Sequence, residues 1–165
     1  MSITINTLSE EKLRTGKSFL YIYSNLALAA GAEENFIIAV ASNPVTIKSI
    51  TVTADAELMS WQSFGSTQFT ENTGVIINGI QRNFNTIEES GITLIDGPTI
   101  TDDGISFSNN PVDMIAQAGS GNHSYLNQIV VDQLMLAPNS NYLIRFKNHD
   151  NSVIKYQLNI DTYNE

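Results

Sequence analysis

Short blocks in which apolar and polar residues alternate run through this chain and constrain its fold more than any other feature. The clearest block is Ile154–Asp161, where Ile154, Tyr156, Leu158 and Ile160 share one phase and polar residues fill the other. Successive side chains of a β-strand point to opposite faces of the sheet, so this period of two predicts a strand with one buried face. A chain composed of such blocks is expected to fold as β-sheet.

A second alternating block precedes the first, and the polar segment Asn148–Ser152 separates the two. A short polar segment between two strand-like blocks is typical of a hairpin connection. We therefore predict strands over Asn141–Lys147 and Val153–Thr162 that pair with each other in antiparallel fashion.

The same alternation recurs upstream, in short blocks separated by Gly, Pro and Asn residues. Its apolar positions are Phe19, Tyr21 and Tyr23; Phe36, Ile38 and Val40; Val45, Ile47, Ile50 and Val52; Val75 and Ile77; and Ile92 and Leu94, with Phe107 as a further candidate. Within Val45–Thr53 the phase slips by one residue at Lys48-Ser49, which predicts a β-bulge. The irregular stretch Ser108–Asn127 is expected to form a long surface loop.

Signals for helix are confined to two short segments. Thr7 and Glu10 have the spacing of a capping box, which predicts a short N-terminal helix that ends at Gly16. A further helical turn is possible at Ile87–Ser90. We therefore predict an all-β fold, an antiparallel β-sandwich or jelly roll, in which residues 1–15 form an N-terminal arm or short helix and residues 16–165 form a single domain.

Composition excludes several classes of protein. The chain holds 8 Lys and Arg against 17 Asp and Glu, a net charge of -9, and it contains no cysteine. A negative charge disfavours binding to nucleic acid, and the absence of cysteine rules out disulfides and thiolate metal sites. The sequence has no apolar run of the ~18 residues that span a membrane, and its N-terminus lacks a signal-peptide pattern. We expect neither nucleic acid nor a membrane as a partner.

Residues for catalysis are few and poorly placed. The two histidines, His123 and His149, lie in polar segments, and no serine has the setting of a hydrolase nucleophile. Acidic doublets occur at Glu33-Glu34, Glu88-Glu89 and Asp102-Asp103, and neighbouring residues on a strand face opposite ways, so we interpret them as solvated turn acids. The sequence predicts a non-enzymatic protein without a cofactor or a catalytic site.

Two weaker features leave alternatives open. Asp96, Asp102 and Asp103 are close in sequence and could hold a structural cation, although Asp-Gly pairs are ordinary residues of tight turns. Trp61 and Phe64 could mark a ligand-binding patch, although a tryptophan is usually part of the core.

An ordered series of short motifs runs from Gly16 to the C-terminus. The motifs are Gly16–Phe19, Asn35–Ile38, Ile50–Thr53, Asn78–Asn83, Pro98–Gly104, Leu136–Arg145, Lys147-Asn148 and Tyr163–Glu165. In this order the chain resembles a family of small tailed-bacteriophage virion proteins. It departs from the family pattern in having one Arg, Arg82, where the family often has two, and in the Asn164 that separates the terminal aromatic residue from Glu165.

The resemblance implies a β-sandwich subunit of the virion, made in the host cytoplasm and serving as a capsid decoration (cement) protein. Its implied partners are other copies of itself, as a trimer rather than a dimer, and the major capsid protein on the outer surface of the head. The family has no catalytic motif to transfer to this sequence.

Candidate interface residues come from the N-terminal segment and from one central element. Ile3, Ile5, Leu8 and Leu13 are apolar anchors in the arm Ser2–Leu13, which could add as a strand to a neighbour's sheet. Alternatively, Ile3 and Ile5 begin the first strand of the subunit's own sheet. Arg82 and Phe84 are further interface candidates. An aromatic residue beside a basic one could also stack a nucleic-acid base, although packing within the sandwich is the more frequent role of such a residue.

Two other functions stay open at this point. One is a tail or fibre component that binds a host-surface glycan through Trp61 or the Ser108–Asn127 loop. The other is a virion-borne glycosidase that uses Asp102 or Asp103.

Overall fold

Strands make up nearly all of the regular structure. A computed structural model describes residues 11–13, 15–85, 88–108, 110–115, 117–118 and 124–165. The strands are β1 (Ser18–Leu28), β2 (Glu33–Val40), β3 (Val45–Ala54), β4 (Leu58–Gly65), β5 (Gln68–Phe69), β6 (Val75–Ile77), β7 (Ile80–Gln81), β8 (Ile92–Asp96), β9 (Ile100–Asp102), β10 (Ile105–Ser106), β11 (Val112–Ile115), β12 (Gln117–Ala118), β13 (Ser124–Leu136), β14 (Asn141–Asn148) and β15 (Ile154–Asn164).

The strands form two antiparallel sheets that pack face to face, so the predicted all-β sandwich is confirmed. The first sheet has the order β12-β13-β3-β15-β1-β7, and the second has the order β10-β4-β14-β2-β8-β6, with β11 also paired to β4. A separate two-stranded sheet joins β5 to β9. Among the eight longest paired strands, the chain switches sheets at every connection except β4 to β8. Distribution of successive strands over two sheets in this way is typical of a jelly roll.

The predicted pairing of the last two strands is wrong, although both strands exist. β14 pairs with β2 and β4 in the second sheet, whereas β15 pairs with β1 and β3 in the first sheet. The connection Asn148–Ser152 therefore crosses from one sheet to the other and does not close a hairpin. Alternation identified the buried face of each strand, but it carries no information about the neighbouring strand.

Asn148 anchors this crossing, and its side chain is completely buried. Its amide nitrogen donates hydrogen bonds to the carbonyl oxygens of Leu28 at 3.2 Å, Ala29 at 3.0 Å and Ser152 at 2.9 Å. Its side-chain oxygen accepts a hydrogen bond from the backbone N–H of Asp150 at 2.8 Å. One amide thus joins the end of β14 to the end of β1 in the opposite sheet.

The main core fills the space between the two sheets, where the apolar phases of their strands meet. Phe36 on β2 packs edge-on against Tyr23 and Phe146, with ring centroids 5.0 and 6.0 Å apart. The strands Val45–Ala54 and Ile154–Asn164 contribute the fully buried side chains of Val52, Leu158 and Ile160. These are the residues that the period of two assigns to the interior.

A second, smaller core lies on the outer face of the second sheet. It consists of the buried side chains of Ile37, Phe64, Ile95 and Leu143, with Phe69 and Ile100 packed against them. Phe69 belongs to β5 and Ile100 to β9, so the two-stranded sheet covers this face. Ile37 is therefore buried even though it points away from the main core.

The predicted bulge in β3 is confirmed. Asp161 pairs with Ser49, but the next residue of β15, Thr162, pairs with Ile47, so Lys48 is the extra residue. The bulge lets Ile47 and Ile50 both point into the core, where each is 1% exposed.

Three other sequence predictions need correction or fall outside the described residues. The stretch Ser108–Asn127 is not a single loop, because it contains β11, β12 and the first residues of β13. Residues 88–90 form no helix, and Ile87 lies outside the described part of the chain. Thr7 and Glu10 of the predicted capping box also lie outside it, whereas residues 11–13 form a helical turn that ends where the N–H of Gly16 bonds to the carbonyl of Leu13 at 3.2 Å.

Candidate functional site

A cluster of carboxyl and phenol groups lies between the two sheets, centred on Glu34 of β2. Tyr23 on β1 donates a hydrogen bond to Oε1 of Glu34 at 2.5 Å, and Asn25 donates one to Oε2 at 2.7 Å. The hydroxyl of Tyr156 on β15 also donates to Oε2. Because β2 belongs to one sheet and β1 and β15 to the other, Glu34 joins the sheets through its side chain.

Asp96 on β8 lies beside this carboxylate and shares its environment. Burial raises the pKa of Asp96, the negative charge of Glu34 raises it further, and a hydrogen bond from Tyr23 acts in the opposite direction. Burial also raises the pKa of Tyr23 and Tyr156, and their hydrogen bonds to Glu34 add to that effect. The two phenols therefore stay protonated at neutral pH and act as hydrogen-bond donors. These hydrogen bonds hold the two sheets together, and the carboxyl and phenol groups of the cluster are bonded to one another.

A second polar cluster fastens the two-stranded sheet to the outer face. Arg145 on β14 donates two parallel hydrogen bonds to the carboxylate of Asp103, at 2.9 and 2.7 Å, and a third from Nε to Asn35 at 2.8 Å. Its guanidinium also lies 5.3 Å from the ring centroid of Phe64. The bidentate geometry is the strongest form of such a pair. Arg145 therefore clamps the turn after β9 onto the second sheet.

Gly104 makes the clamp possible by shaping the turn. Its φ is +84°, a conformation that L side chains rarely adopt, and a Cβ there would collide with the carbonyl oxygen of Gly65. The turn positions Asp103 opposite Arg145.

The three aspartates considered as cation ligands serve three separate purposes. Asp103 binds Arg145, Asp102 accepts a hydrogen bond from the N–H of Gly104 at 2.9 Å, and Asp96 faces Glu34 and Tyr23. Within the part of the chain that the structure describes, no group of three or more His, Asp or Glu side chains is placed to hold a metal ion.

Ser60 and His149 form a hydrogen bond of 2.7 Å between Oγ and Nε2. Ser60 is buried, so its hydroxyl is not offered to a substrate. The carboxylate of Asp150 is bonded instead to the backbone N–H groups of Glu57 and Leu58, at 2.8 and 3.0 Å. The other histidine, His123, lies outside the described residues.

Trp61 is partly buried and packs against the main core from β4. Phe64, three residues further along β4, belongs to the smaller core. Both aromatic residues thus contribute to packing, which is the interpretation that the sequence favoured over a ligand-binding patch.

The predicted interface residues fall into two groups. Ile3, Ile5 and Leu8 lie outside the described residues. Of the remaining three, Leu13 is 43% exposed, Phe84 is 86% exposed, and Arg82 forms an ion pair with Asp161 at 3.1 Å. Arg82 and Phe84 follow β7 at one margin of the first sheet, whereas Leu13 lies in the helical turn before β1.

Exposed apolar side chains are concentrated on strands at the margins of the two sheets. Nine of the fifteen exposed large apolar side chains among the described residues lie there: Val75 and Ile76 on β6, Ile80 on β7, Ile105 on β10, Val112 and Ile115 on β11, and Ile129, Leu134 and Met135 on β13. Apolar side chains left exposed along strand edges are characteristic of surfaces that meet another chain. These margins are therefore the candidate functional surface.

The sequence interpretation missed the Glu34 cluster. It treated the doublet Glu33-Glu34 as solvated turn acids, which is wrong for Glu34, because that residue lies within β2 and bonds to two tyrosines. A usable signal was present: Glu34 shares its alternation phase with Phe36 and Ile38, so it had to face the interior.

None of the helical residues that the structure describes belongs to a helix long and apolar enough to cross a membrane.

Comparison with known proteins finds distant likenesses only. No protein-family model matches the chain. No curated protein matches it either. Among solved structures, a chain of the T13 infectious bursal disease virus particle has a TM-score of 0.21 and 9% identity, covering 90% of this chain and 39% of its own. A chain of the infectious bursal disease virus Gt strain has a TM-score of 0.17 and 11% identity, covering 88% and 40%.

VP17, a capsid protein of bacteriophage P23-77, has a TM-score of 0.17 and 10% identity, covering 90% of this chain and 97% of its own. The present chain spans about two-fifths of the two infectious bursal disease virus chains. These TM-scores are too low for any of the three structures to bear on the fold or the function of this chain.

Proposed function

We propose that this protein is a non-enzymatic structural subunit of a bacteriophage virion, a capsid decoration (cement) protein that self-associates on the outer surface of the head. The observation that carries the proposal is the concentration of exposed apolar side chains on margin strands, such as Ile76 on β6 and Met135 on β13, which are 62% and 68% exposed. A protein that functions alone gains nothing from such edges, because they invite pairing with other chains.

The polar side chains that join strands and loops support the same proposal. Glu34, Arg145 and Asn148 each make several hydrogen bonds to neighbouring strands or loops. Bonds of this kind stiffen a sandwich and leave those side chains unavailable for a substrate. A stiff scaffold with adhesive margins suits a protein that reinforces an assembly.

The partners that we propose are further copies of this chain, as a trimer rather than a dimer, and the major capsid protein. In this proposal residues 1–15 act as an arm and residues 16–165 as one domain. Ile3, Ile5, Leu8 and Leu13 anchor the arm on a neighbour, and Arg82 with Phe84 forms a second contact. The net charge of -9 would limit adhesion to packaged DNA.

Binding to capsids tests the proposal directly. Purified protein should bind mature heads of its own phage to saturation and raise the temperature at which they release DNA, and light scattering should give a mass three times that of the 18.1 kDa chain. Heads of an unrelated phage are the control. A protein that stays monomeric and does not bind matching heads would contradict the proposal.

A further inference from the structure

The outer edge of β13 is open over most of its length. β13 is 13 residues long and pairs on one side with β3 from Leu126 to Leu136. On its other side, β12 pairs only with residues 124 and 125. Among the described residues, no strand covers positions 126–136 there, so their outward N–H and C=O groups form a template for another strand.

This edge has few of the features by which proteins block such pairing. Residues 126–136 include no proline and no lysine, and Asp132 is their one charged residue. A bulge at Val130 and the left-handed backbone of Gln133, whose φ is +55°, interrupt the strand and leave shorter regular runs around them. Ile129 and Met135, one on each side of the bulge, are 66% and 68% exposed. The described residues of one subunit therefore leave these apolar side chains exposed.

The N-terminal segment has the composition that fits this edge. Ser2–Asn6 alternates polar and apolar residues, with Ile3 and Ile5 in one phase, and contains no charged side chain. Such a segment suits an edge that carries apolar side chains and a single charge, because main-chain hydrogen bonds supply affinity and alternate side chains supply specificity.

The point where this segment joins the described part of the chain lies close to β13. Lys12 binds Glu165 at 3.0 Å, and Thr46 binds the other oxygen of the same carboxylate at 2.6 Å. Thr46 is the register partner of Met135. The ten residues that precede the described turn can reach at most about 35 Å when extended, enough to pass from this point to an adjacent subunit.

We infer that the free edge of β13 in one subunit receives residues Ser2–Asn6 of a second subunit as an added strand. The inference rests on the proposed self-association and specifies its contact. The donor is assigned to a second copy because the described residues of one subunit leave Ile129 and Met135 exposed. Ile3 and Ile5, which lie about 7 Å apart on a strand, would pack at one of these two positions.

Cysteine pairs in an otherwise cysteine-free chain test this contact. Subunits that carry Ile5→Cys are mixed with subunits that carry Met135→Cys or Ile129→Cys and are oxidised. We expect a disulfide-linked dimer in at least one mixture. Leu26→Cys is the matched control acceptor, because Leu26 is 71% exposed on β1 of the same sheet. A yield no greater than that of the control would overturn the inference. The inference would also be overturned if a chain carrying both Ile5→Cys and Met135→Cys formed the disulfide within itself and no disulfide formed between subunits.

Charge at the edge provides a second test that does not depend on the cross-linking register. Met135→Lys should weaken self-association at least tenfold in analytical ultracentrifugation, whereas Leu26→Lys should leave it unchanged, with both variants unfolding at the wild-type temperature. If the protein oligomerises equally well with Met135→Lys and without residues 2–6, the β13 contact is wrong while self-association stands. If the wild type does not oligomerise at any concentration, the proposed function itself fails.

Discussion

Replacement of Asn148 by alanine is expected to destabilise the sandwich strongly, because this residue fixes the crossing between the sheets. The amide has two N–H hydrogens for three carbonyl acceptors, so one hydrogen is shared, and its oxygen accepts one further bond. We count three independent hydrogen bonds at about 1 kcal/mol each, which gives a loss of about 3 kcal/mol in the free energy of unfolding. For a chain of this length that corresponds to a fall of about 6–12 °C in Tm.

Urea denaturation followed by circular dichroism measures this loss, provided that the dependence on denaturant stays the same as in the wild type. Asn151→Ala is the matched control, since Asn151 is an exposed residue of the same crossing, and its substitution should change the free energy by less than about 0.5 kcal/mol. The reasoning is refuted if Asn148→Ala is no more destabilising than Asn151→Ala.

Asn148→Asp separates hydrogen bonding from packing, because it keeps the shape of the side chain. A carboxylate in that position would face three carbonyl oxygens and have no hydrogen to donate. We expect Asn148→Asp to be at least as unstable as Asn148→Ala at neutral pH. It should recover part of the loss in acid, where the protonated carboxyl group can donate one hydrogen bond. Equal stability of Asn148→Asp and wild type at neutral pH would contradict this account.

Three further predictions concern the ionisable side chains of Asp96, Asp103 and Tyr21. Burial and the charge of Glu34 raise the pKa of Asp96 in the folded protein. The protonated carboxyl group therefore stabilises the fold fully below the pKa of an aspartate in the unfolded chain, and this stabilisation is lost as the pH rises through the raised pKa. In urea titrations Asp96→Asn should therefore gain stability relative to wild type as the pH rises above the ordinary pKa range of an aspartate, and parallel pH profiles of the two proteins would contradict this. Asp103→Asn should cost about 1 kcal/mol, because the ion pair is partly exposed, and should speed proteolysis at the β5–β9 sheet, whereas Asp102→Asn should not. Burial raises the pKa of Tyr21 to about 12, so the ultraviolet titration of wild type minus Tyr21→Phe should show its step there and not near the ordinary value of about 10.

Alternation in the sequence predicted the strands well because burial on one face is a local property of each strand. It could not predict how the last two strands pair, since the polar segment after β14 suits a hairpin and a crossing equally. The deciding contact joins Asn148 to Leu28, which lies 120 residues earlier in the chain. Only the folded arrangement brings the two together.

The strand β11 illustrates a second limit of the sequence. Of its four residues only Met114 is buried, so no alternation distinguishes the strand from a loop. It forms because β4 offers a free edge, with Met114 opposite Met59 and Val112 opposite Trp61. A partner from a distant part of the chain therefore determines this strand.

The polar cluster and the exposed strand edges were likewise predictable from the sequence only where a local pattern determines them. The inward phase of Glu34 was readable from its neighbours Phe36 and Ile38, but the convergence of Tyr23 and Tyr156 on its carboxylate depends on how the two sheets are stacked. The exposed edges could not be predicted from the sequence either, because a strand lies at an edge only when no other strand pairs with it on one side.

The chemistry of the margin strands also determines how self-association should respond to salt. The strands β6, β7, β10, β11 and β13 contain only two charged residues, Asp113 and Asp132. Association through main-chain hydrogen bonds and apolar side chains does not depend on screening, whereas association through ion pairs weakens as salt shortens the Debye length from about 10 Å at 0.1 M to about 3 Å at 1 M. The association constant measured by ultracentrifugation should therefore stay level or rise between 0.1 and 1 M sodium chloride. A fall of tenfold or more would mean that charged contacts such as that of Arg82, and not the strand edges, hold the subunits together.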